Sequence, residues 1–253
     1  MLKRSQNRLL RARLGKVDLD LQHVTEPRPK GAVGPTTFSA SCQVEGSFVF
    51  LAENLSAIPH LLHGFGTRDT VDWPTLPPAT VRQVHSDRVI FADGPGICGE
   101  ADALITDQSG FVLAVRTADC VPILIADPAH HAVAAVHAGW RGTVSGIVTK
   151  ALAEMSGRFG TRTEEVAVAI GPAIRGCCYE VGVQVAVQFG RSAEKHHIDL
   201  VEENLEQLVG AGVSRNRVAV MAHCTQCEPA LFHSFRRDRE QSGRMVSAIG
   251  WKA

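Results

Sequence analysis

The chain has 253 residues, 45% of them hydrophobic and 21% charged, a composition that excludes a disordered polymer and a small disulfide-stapled scaffold. Lys plus Arg and Asp plus Glu both total 26, so no net field draws the chain to nucleic acid or to an anionic membrane. The longest apolar runs, residues 121–126 and 132–138, fall far short of the roughly 20 residues that span a bilayer.

Residues 1–16 carry Lys3, Arg4, Arg8, Arg11, Arg13 and Lys16 and no acid. They lack the apolar stretch of a secretory signal and read as a solvated basic extension rather than an organelle transit segment. Glu26 to Ser41 is rich in Pro, Gly, Ser and Thr, which marks a linker. Residues 1–41 are therefore expected to form a flexible extension and residues 42–253 the folded domain. Strands are predicted at Ser47–Ala52, Thr80–Ala92, Phe111–Val115, Val121–Ala126, Ala132–His137, Val166–Ile170 and Val218–Ala222, several of them buried on both faces.

Two stretches have the helical period. Val144, Ile147, Val148, Ala151, Leu152 and Met155 fall on one stripe of a helix that starts near Thr143 and ends near Gly157. Leu200, Val201, Leu205, Leu208 and Val209 repeat the pattern, with Asp199 as N-cap and Gly210 and Gly212 as a stop. Val181–Phe189 is read as a third helix. Without a repeated βαβ unit, the expected class is α+β: mixed β-sheets flanked by helices in a single domain. No GxGxxG or GxxxxGK[ST] string supports a nucleotide-binding turn.

The chemistry-bearing residues cluster mid-chain, in Arg82-Gln83-Val84-His85, Thr117-Ala118-Asp119-Cys120 and Ala135-Val136-His137-Ala138-Gly139-Trp140-Arg141-Gly142. Each string ends a strand with an imidazole or a thiol. His85, Cys120 and His137 form a His2Cys set suited to Zn2+, with Cu2+ as the alternative. Three protein ligands leave one position for water, whose pKa zinc lowers to about 7. The helix expected to start near Thr143 would aim its positive end at this region. Seven cysteines, an odd number scattered from Cys42 to Cys227, favour a reducing, cytoplasmic setting. His130-His131 and His196-His197 are read as solvated surface. No His-x-His pair of the kind that gathers a multicopper cluster occurs, so four-electron oxygen chemistry is not expected.

The strings RQVHSDRV, EADALIT, TADCVPILIAD, AVHAGWRGT, AIGPAIRGCCYEVG and CTQCEPALFHSFRRDREQSGRM, spread over residues 60–251, resemble the laccase-domain family. That family was once called multicopper polyphenol oxidases and is now regarded as purine nucleoside phosphorylases. The resemblance implies a laccase-domain, cysteine-hydrolase-like fold and a metal site made of His85, Cys120 and His137. It also implies phosphorolysis of adenosine, inosine and methylthioadenosine, with adenosine deamination as a second activity. After His63-Gly64-Phe65-Gly66-Thr67-Arg68 the family usually carries a Gly-rich loop with Asn-Leu-Gly and Asn-Arg, which is missing here; the departure bears on substrate identity.

Phosphate would be held by arginines: Arg68 first, then Arg237 and Arg244, with Ser234 as a hydroxyl donor. Asp119 would shuttle protons or hold a histidine tautomer, Asp102 and Glu180 being the other eligible acids, and Gln83 would orient substrate or water. Cys177-Cys178 and Cys224-x-x-Cys227 have the makings of a second metal site or a redox pair, but they match family strings without being its metal ligands, and packed thiols are the preferred reading. Expected partners are purine nucleosides and phosphate, with no nucleic acid and no membrane; a homo-oligomer is compatible with the sequence. Two competing readings remain: a cysteine hydrolase with Cys120 as nucleophile and His137 as base, and a noncatalytic zinc-stabilised binding module.

Overall fold

The computed structural model describes residues 37–44, 47–192 and 194–253. The basic extension and most of the expected linker lie outside the described residues. In chain order the strands begin with β1 (Phe38–Val44), β2 (Ser47–Ala52), β3 (Leu61–Gly66), β4 (Pro78–Arg82) and β5 (Val89–Phe91). They continue with β6 (Gly96–Glu100), β7 (Ala103–Thr106), β8 (Val112–Thr117), β9 (Val121–Asp127) and β10 (Ala132–Ala138). The last five are β11 (Ala167–Ile170), β12 (Glu180–Val181), β13 (His196–His197), β14 (Val218–Val220) and β15 (Met245–Trp251). The α-helices are α1 (Glu53–Ser56), α2 (Trp140–Val144), α3 (Ile147–Phe159), α4 (Val183–Ala186), α5 (Leu200–Gly210) and α6 (Phe235–Asp238).

A seven-stranded sheet runs β1-β2-β3-β15-β8-β4-β6, a six-stranded sheet runs β14-β11-β9-β10-β7-β5, and β12 pairs with β13. Both large sheets mix parallel and antiparallel neighbours, as the α+β expectation requires. The alternation of β9 explains the layering. Val121, Ile123 and Ile125 pack with Ile147, Leu152, Leu205 and Leu208 of α3 and α5, while Leu124 and Ala126 face Leu113, Val115 and Ile249 of the other sheet. A strand between two apolar layers has no polar side to show, so its sequence reads as one continuous hydrophobic run. Each buried Leu or Ile in these layers contributes about 1.5–3 kcal/mol of apolar burial.

Three sequence expectations shift. β1 takes in Phe38 to Ser41, which composition had assigned to the linker: they pair with β2, and the Phe38 ring lies 6.0 Å from that of Phe65. The long strand expected over Thr80–Ala92 is two strands in different sheets, β4 and β5, joined by the loop that carries His85. The helix expected from Thr143 is two pieces, because Gly146 adopts φ +70 between α2 and α3, and α3 runs on to Phe159 before Gly160 ends it at φ +79. At α5 the reading holds in detail: Asp199 accepts the N–H groups of Val201 at 3.0 Å and Glu202 at 3.4 Å. The described residues belong to one compact unit, and none of their helices is long and apolar enough to cross a membrane.

Candidate metal centre and arginine-lined cleft

His85, Cys120 and His137 arrive from three places in the fold. His137 sits near the end of β10, Cys120 in the turn between β8 and β9, and His85 in the loop after β4. Two of these turns use backbone that side chains rarely adopt: His85 has φ +58 and Asp119, next to Cys120, has φ +88. The surrounding bonds hold them there. The buried carboxylate of Asp102 accepts the N–H groups of Val84, His85 and Ser86 at 3.2, 3.0 and 2.6 Å, and the Ser86 hydroxyl at 2.7 Å. Asp119 accepts the Thr225 hydroxyl at 2.7 Å and the N–H of Arg236 at 2.6 Å, while its carbonyl takes the N–H of Ile174 at 2.9 Å.

One ligand atom from each of the three residues lies within 4.8 Å of the other two. Cys120 Sγ and His85 Nε2 are 3.9 Å apart, a gap one ion can bridge with a Zn–S bond of about 2.3 Å and a Zn–N bond of about 2.1 Å. His137 Nδ1 is 2.8 Å from Asp102 Oδ1, which leaves Nε2 for an ion, the carboxylate–histidine arrangement that orients a metal-binding imidazole. Gly139 completes the cradle: a Cβ there would meet His85 Cδ2 at 2.9 Å and Cys120 Sγ at 3.1 Å. Donor types, spacing and cradle all fit a zinc-sized ion.

Electrostatics prepare the same groups. Burial opposes charge on Cys120, but His137 and then His85 outweigh it and bring the thiol down to about 6. Burial likewise opposes charge on His137, and the Cys120 thiolate and Asp102 push the imidazole up to about 9. Asp102, against its own burial, is held down to about 2 by His137 and Ser86. Each group thus favours the charged form of the other, and a cation entering the site would take the place of the proton on His137 Nε2.

The three ligands open onto a cleft of about 810 Å³. Its lining includes six arginines, Arg82, Arg116, Arg141, Arg236, Arg239 and Arg244, and a single carboxylate, Asp119. A chain of zero net charge thus concentrates positive charge at one place. Arg141 lies over Trp140 at 4.5 Å, Arg236 over Tyr179 at 5.1 Å and Arg244 over Phe235 at 5.9 Å, so aromatic faces alternate with guanidinium planes. Burial, then the Cys120 charge, push the Tyr179 phenol up to about 12, so it stays a donor. The positive end expected from a long helix is not the source of this field, since α2 is five residues and α3 begins only at Ile147.

The structure brings His85, Cys120, His137, Asp119 and Gln83 into this cleft, together with Arg244. Gln83 is clamped by Arg116, its Nε2 donating to the Arg116 carbonyl and its Oε1 accepting the Arg116 N–H, both at 2.8 Å. Arg68, Ser234 and Arg237 lie outside the lining. Arg68 bonds through Nη1 to the Pro229 carbonyl. Ser234 accepts the N–H of Arg237 at 3.2 Å as the N-cap of α6. Arg237 donates to the carbonyls of Thr225 at 3.0 Å and Phe232 at 2.9 Å and pairs with Asp238 at 2.8 Å. Among the eligible acids, Asp102 serves the histidines, and Glu180 pairs with Lys195 at 3.2 Å. Sequence reasoning gave no role to Arg116, Tyr179, Arg236 and Arg239, although Tyr179, Arg236 and Arg239 stand within the family strings and Arg116 is the one charged residue of β8.

With the geometry in place, the comparisons are specific. The family model described as multi-copper polyphenol oxidoreductase laccase matches residues 68–252. The chain belongs to that laccase family. It is 41% identical over 181 residues to a purine nucleoside phosphorylase of Deinococcus radiodurans, an alignment covering 68% of this chain and 69% of the relative. It is 37% identical over 191 residues, 66% of this chain and 72% of the relative, to adenosine deaminase RL5 from an unknown prokaryotic organism. The crystal structure of YlmD from Geobacillus stearothermophilus superposes with a TM-score of 0.77 at 28% identity, covering 87% of this chain and all of that one. The laccase-family name denotes copper clusters, whereas the metal-competent sets among the described residues of this member are one His-Cys-His group and one group of four cysteines.

Proposed function

We propose that the chain is a zinc-dependent purine nucleoside phosphorylase acting on adenosine, inosine and methylthioadenosine, with adenosine deamination as a second activity. The observation that carries this reading is the His85–Cys120–His137 set opening onto a cleft with six arginines and one carboxylate. The names of the two relatives support purine nucleosides as the substrate class; methylthioadenosine enters through the family resemblance. Its thiols fit a reducing cytoplasm.

His85, Cys120 and His137 hold the zinc, which when bound supplies Lewis acidity. Among the cleft arginines, the guanidinium groups of Arg116 and Arg239 form no hydrogen bond or ion pair, and that of Arg141 stacks on Trp140 without forming either. Free guanidinium forks are the groups that bind phosphate bidentately, and they place its oxygen against C1′ of the ribose. Gln83, with both ends of its amide used, fixes the Arg116 backbone rather than touching phosphate. Trp140, Tyr179 and Phe235 offer faces for the purine. In phosphorolysis a phosphate oxygen bonds to C1′ as the C1′–N9 bond breaks, the electron pair leaves with the purine, and the Tyr179 hydroxyl, as a donor in the cleft lining, hydrogen-bonds a ring nitrogen. Deamination consumes water at C6 and releases ammonia. Asp119 takes the proton from water and returns it to the departing amine; each of its oxygens accepts one bond and keeps a lone pair.

Zinc-loaded protein with adenosine and phosphate is expected to release adenine and ribose 1-phosphate, and without phosphate to release inosine and ammonia. Absence of both products refutes the reading. A cysteine hydrolase is favoured by one observation, the Cys120–His137–Asp102 chain with its lowered thiol and 2.8 Å imidazole–carboxylate bond. That alternative predicts turnover that survives chelation and stops on alkylation of Cys120.

A further inference from the structure

Four cysteines that the proposed chemistry does not use meet beside the cleft. The sulfur atoms of Cys177, Cys178, Cys224 and Cys227 all lie within 4.8 Å of one another. Cys177 is 3.6 Å from Cys178 and 3.8 Å from Cys227, and Cys178 is 3.3 Å from Cys227. The edge of a tetrahedron of sulfurs bonded to one zinc at about 2.3 Å is ~3.8 Å. The group therefore already has nearly the size of a tetrathiolate cage, contrary to the sequence reading of packed thiols. We infer that Cys177, Cys178, Cys224 and Cys227 form a second metal site, a structural tetrathiolate centre for zinc, separate from the His85–Cys120–His137 centre.

The backbone on both sides is already folded as such a site requires. On one side the N–H groups of Cys178 and Tyr179 both bond to the Arg175 carbonyl at 2.9 Å, closing a turn around Cys177 and Cys178. On the other, the N–H groups of Cys227 and Glu228 bond to the Cys224 carbonyl at 3.1 and 3.2 Å, closing the Cys-x-x-Cys turn. The turns are tied together: Ala173 bridges to Cys224, and the N–H of Arg175 points to the Cys224 sulfur at 3.5 Å. Arg237 grips the Cys-x-x-Cys turn through the carbonyls of Thr225 and Gln226, at 3.0 and 3.3 Å. Zinc entry releases the four thiol protons and leaves a centre of net charge about −2, whose Cys224 sulfur already faces the main-chain N–H of Arg175. A closed four-sulfur shell has no open position, so the centre is structural.

Its location gives the site a purpose. Cys178 precedes Tyr179, and Thr225, between Cys224 and Cys227, holds Asp119. Zinc there would fasten the cleft wall that carries both residues.

The test uses the full chain carrying Cys120→Ala, which removes the first centre, purified under reductant and equilibrated with zinc or with cobalt. About one equivalent of zinc per chain is expected to remain, and cobalt is expected to give the intense visible bands of a tetrahedral all-sulfur site. Adding Cys227→Ser is expected to abolish both signals, while Cys227→Ser alone keeps the weaker nitrogen–sulfur spectrum of the other centre. A Cys120→Ala chain that retains no metal overturns the inference, as does a Cys178–Cys227 disulfide found by peptide mapping of protein kept under reductant. Neither readout depends on turnover, so failure here is distinguishable from failure of the phosphorylase reading.

Discussion

Oδ1 of Asp102 contacts Nδ1 of His137 at 2.8 Å, and the same oxygen takes the main-chain N–H of His85 at 3.0 Å. One buried carboxylate thus orients one imidazole and fixes the loop that presents the other. Asp102→Asn keeps the volume and removes the charge. Zinc affinity of the His85–Cys120–His137 centre, measured by competition with a chelator in the Cys227→Ser background, is expected to fall about 10- to 100-fold. Unchanged affinity would remove Asp102 from the design of the site.

Gly139 carries a steric prediction. A methyl group in Gly139→Ala must displace His85 Cδ2 or Cys120 Sγ, which stand 2.9 and 3.1 Å from the position it would occupy. Metal content should drop while the melting temperature of the metal-free chain shifts little. If the variant binds zinc as the parent does, the cradle is looser than these contacts indicate.

The arginines divide into two groups with opposite readouts. Arg116→Ala and Arg239→Ala, which break no hydrogen bond or ion pair, are expected to raise KM for phosphate roughly tenfold or more, the loss of a charge-assisted bond, without altering stability. Arg237→Ala is expected to cost about 1–3 kcal/mol in denaturant unfolding, because it leaves the Thr225 and Phe232 carbonyls without their donor. The reverse pattern would return Arg237 to the list of phosphate ligands.

Asp119→Asn separates the two activities. Asn tolerates the φ of +88 at this position and can still accept one of the two bonds from Thr225 and Arg236. Adenosine deamination is expected to fall by 100-fold or more, the range of general acid–base catalysis, and phosphorolysis by much less. Parallel loss of both would make Asp119 a positioning residue alone.

Stability should respond to pH through His63. Its imidazole is buried, and Nε2 accepts the N–H of Ala52 at 3.0 Å, so the lone pair a second proton needs is occupied. Burial lowers its pKa from 6.5 to about 4. Between those values the unfolded chain takes up a proton that the folded chain refuses. The contribution is complete above 6.5 and is lost as pH falls towards 4, in all roughly 3 kcal/mol. Urea midpoints of His63→Gln should fall less steeply across that window than those of the parent; equal slopes would assign the acid sensitivity to other groups.

The parts of the fold that the sequence shows plainly are those whose environment repeats along the chain. β9 and β10 lie between two apolar layers and read as unbroken hydrophobic runs, and α5 carries both its stripe and its Asp199 cap. The candidate ligands His85, Cys120 and His137 are visible through the family strings that carry them, since their spacing along the chain points to no metal by itself. The arginine-lined cleft is not visible, because its arginines come from positions 82 to 244 and cancel against distant acids in the net charge. Arg68 and Arg237 were eligible because they lie in family motifs, but their backbone partners, Pro229 for Arg68 and Thr225 for Arg237, are set by the folding of the chain. β15 escaped for a similar reason: Gly250 interrupts its pattern, and only the fold shows that a Cβ there would stand 2.3 Å from the Phe111 carbonyl.

That strand lies between β3 and β8 in the seven-stranded sheet. During synthesis its two neighbours must therefore wait, edges unpaired, until residues 245–251 have cleared the ribosome. Nascent chains stalled before residue 245 should stay open to protease, and a chaperone that shields bare strand edges would find its substrate in that interval.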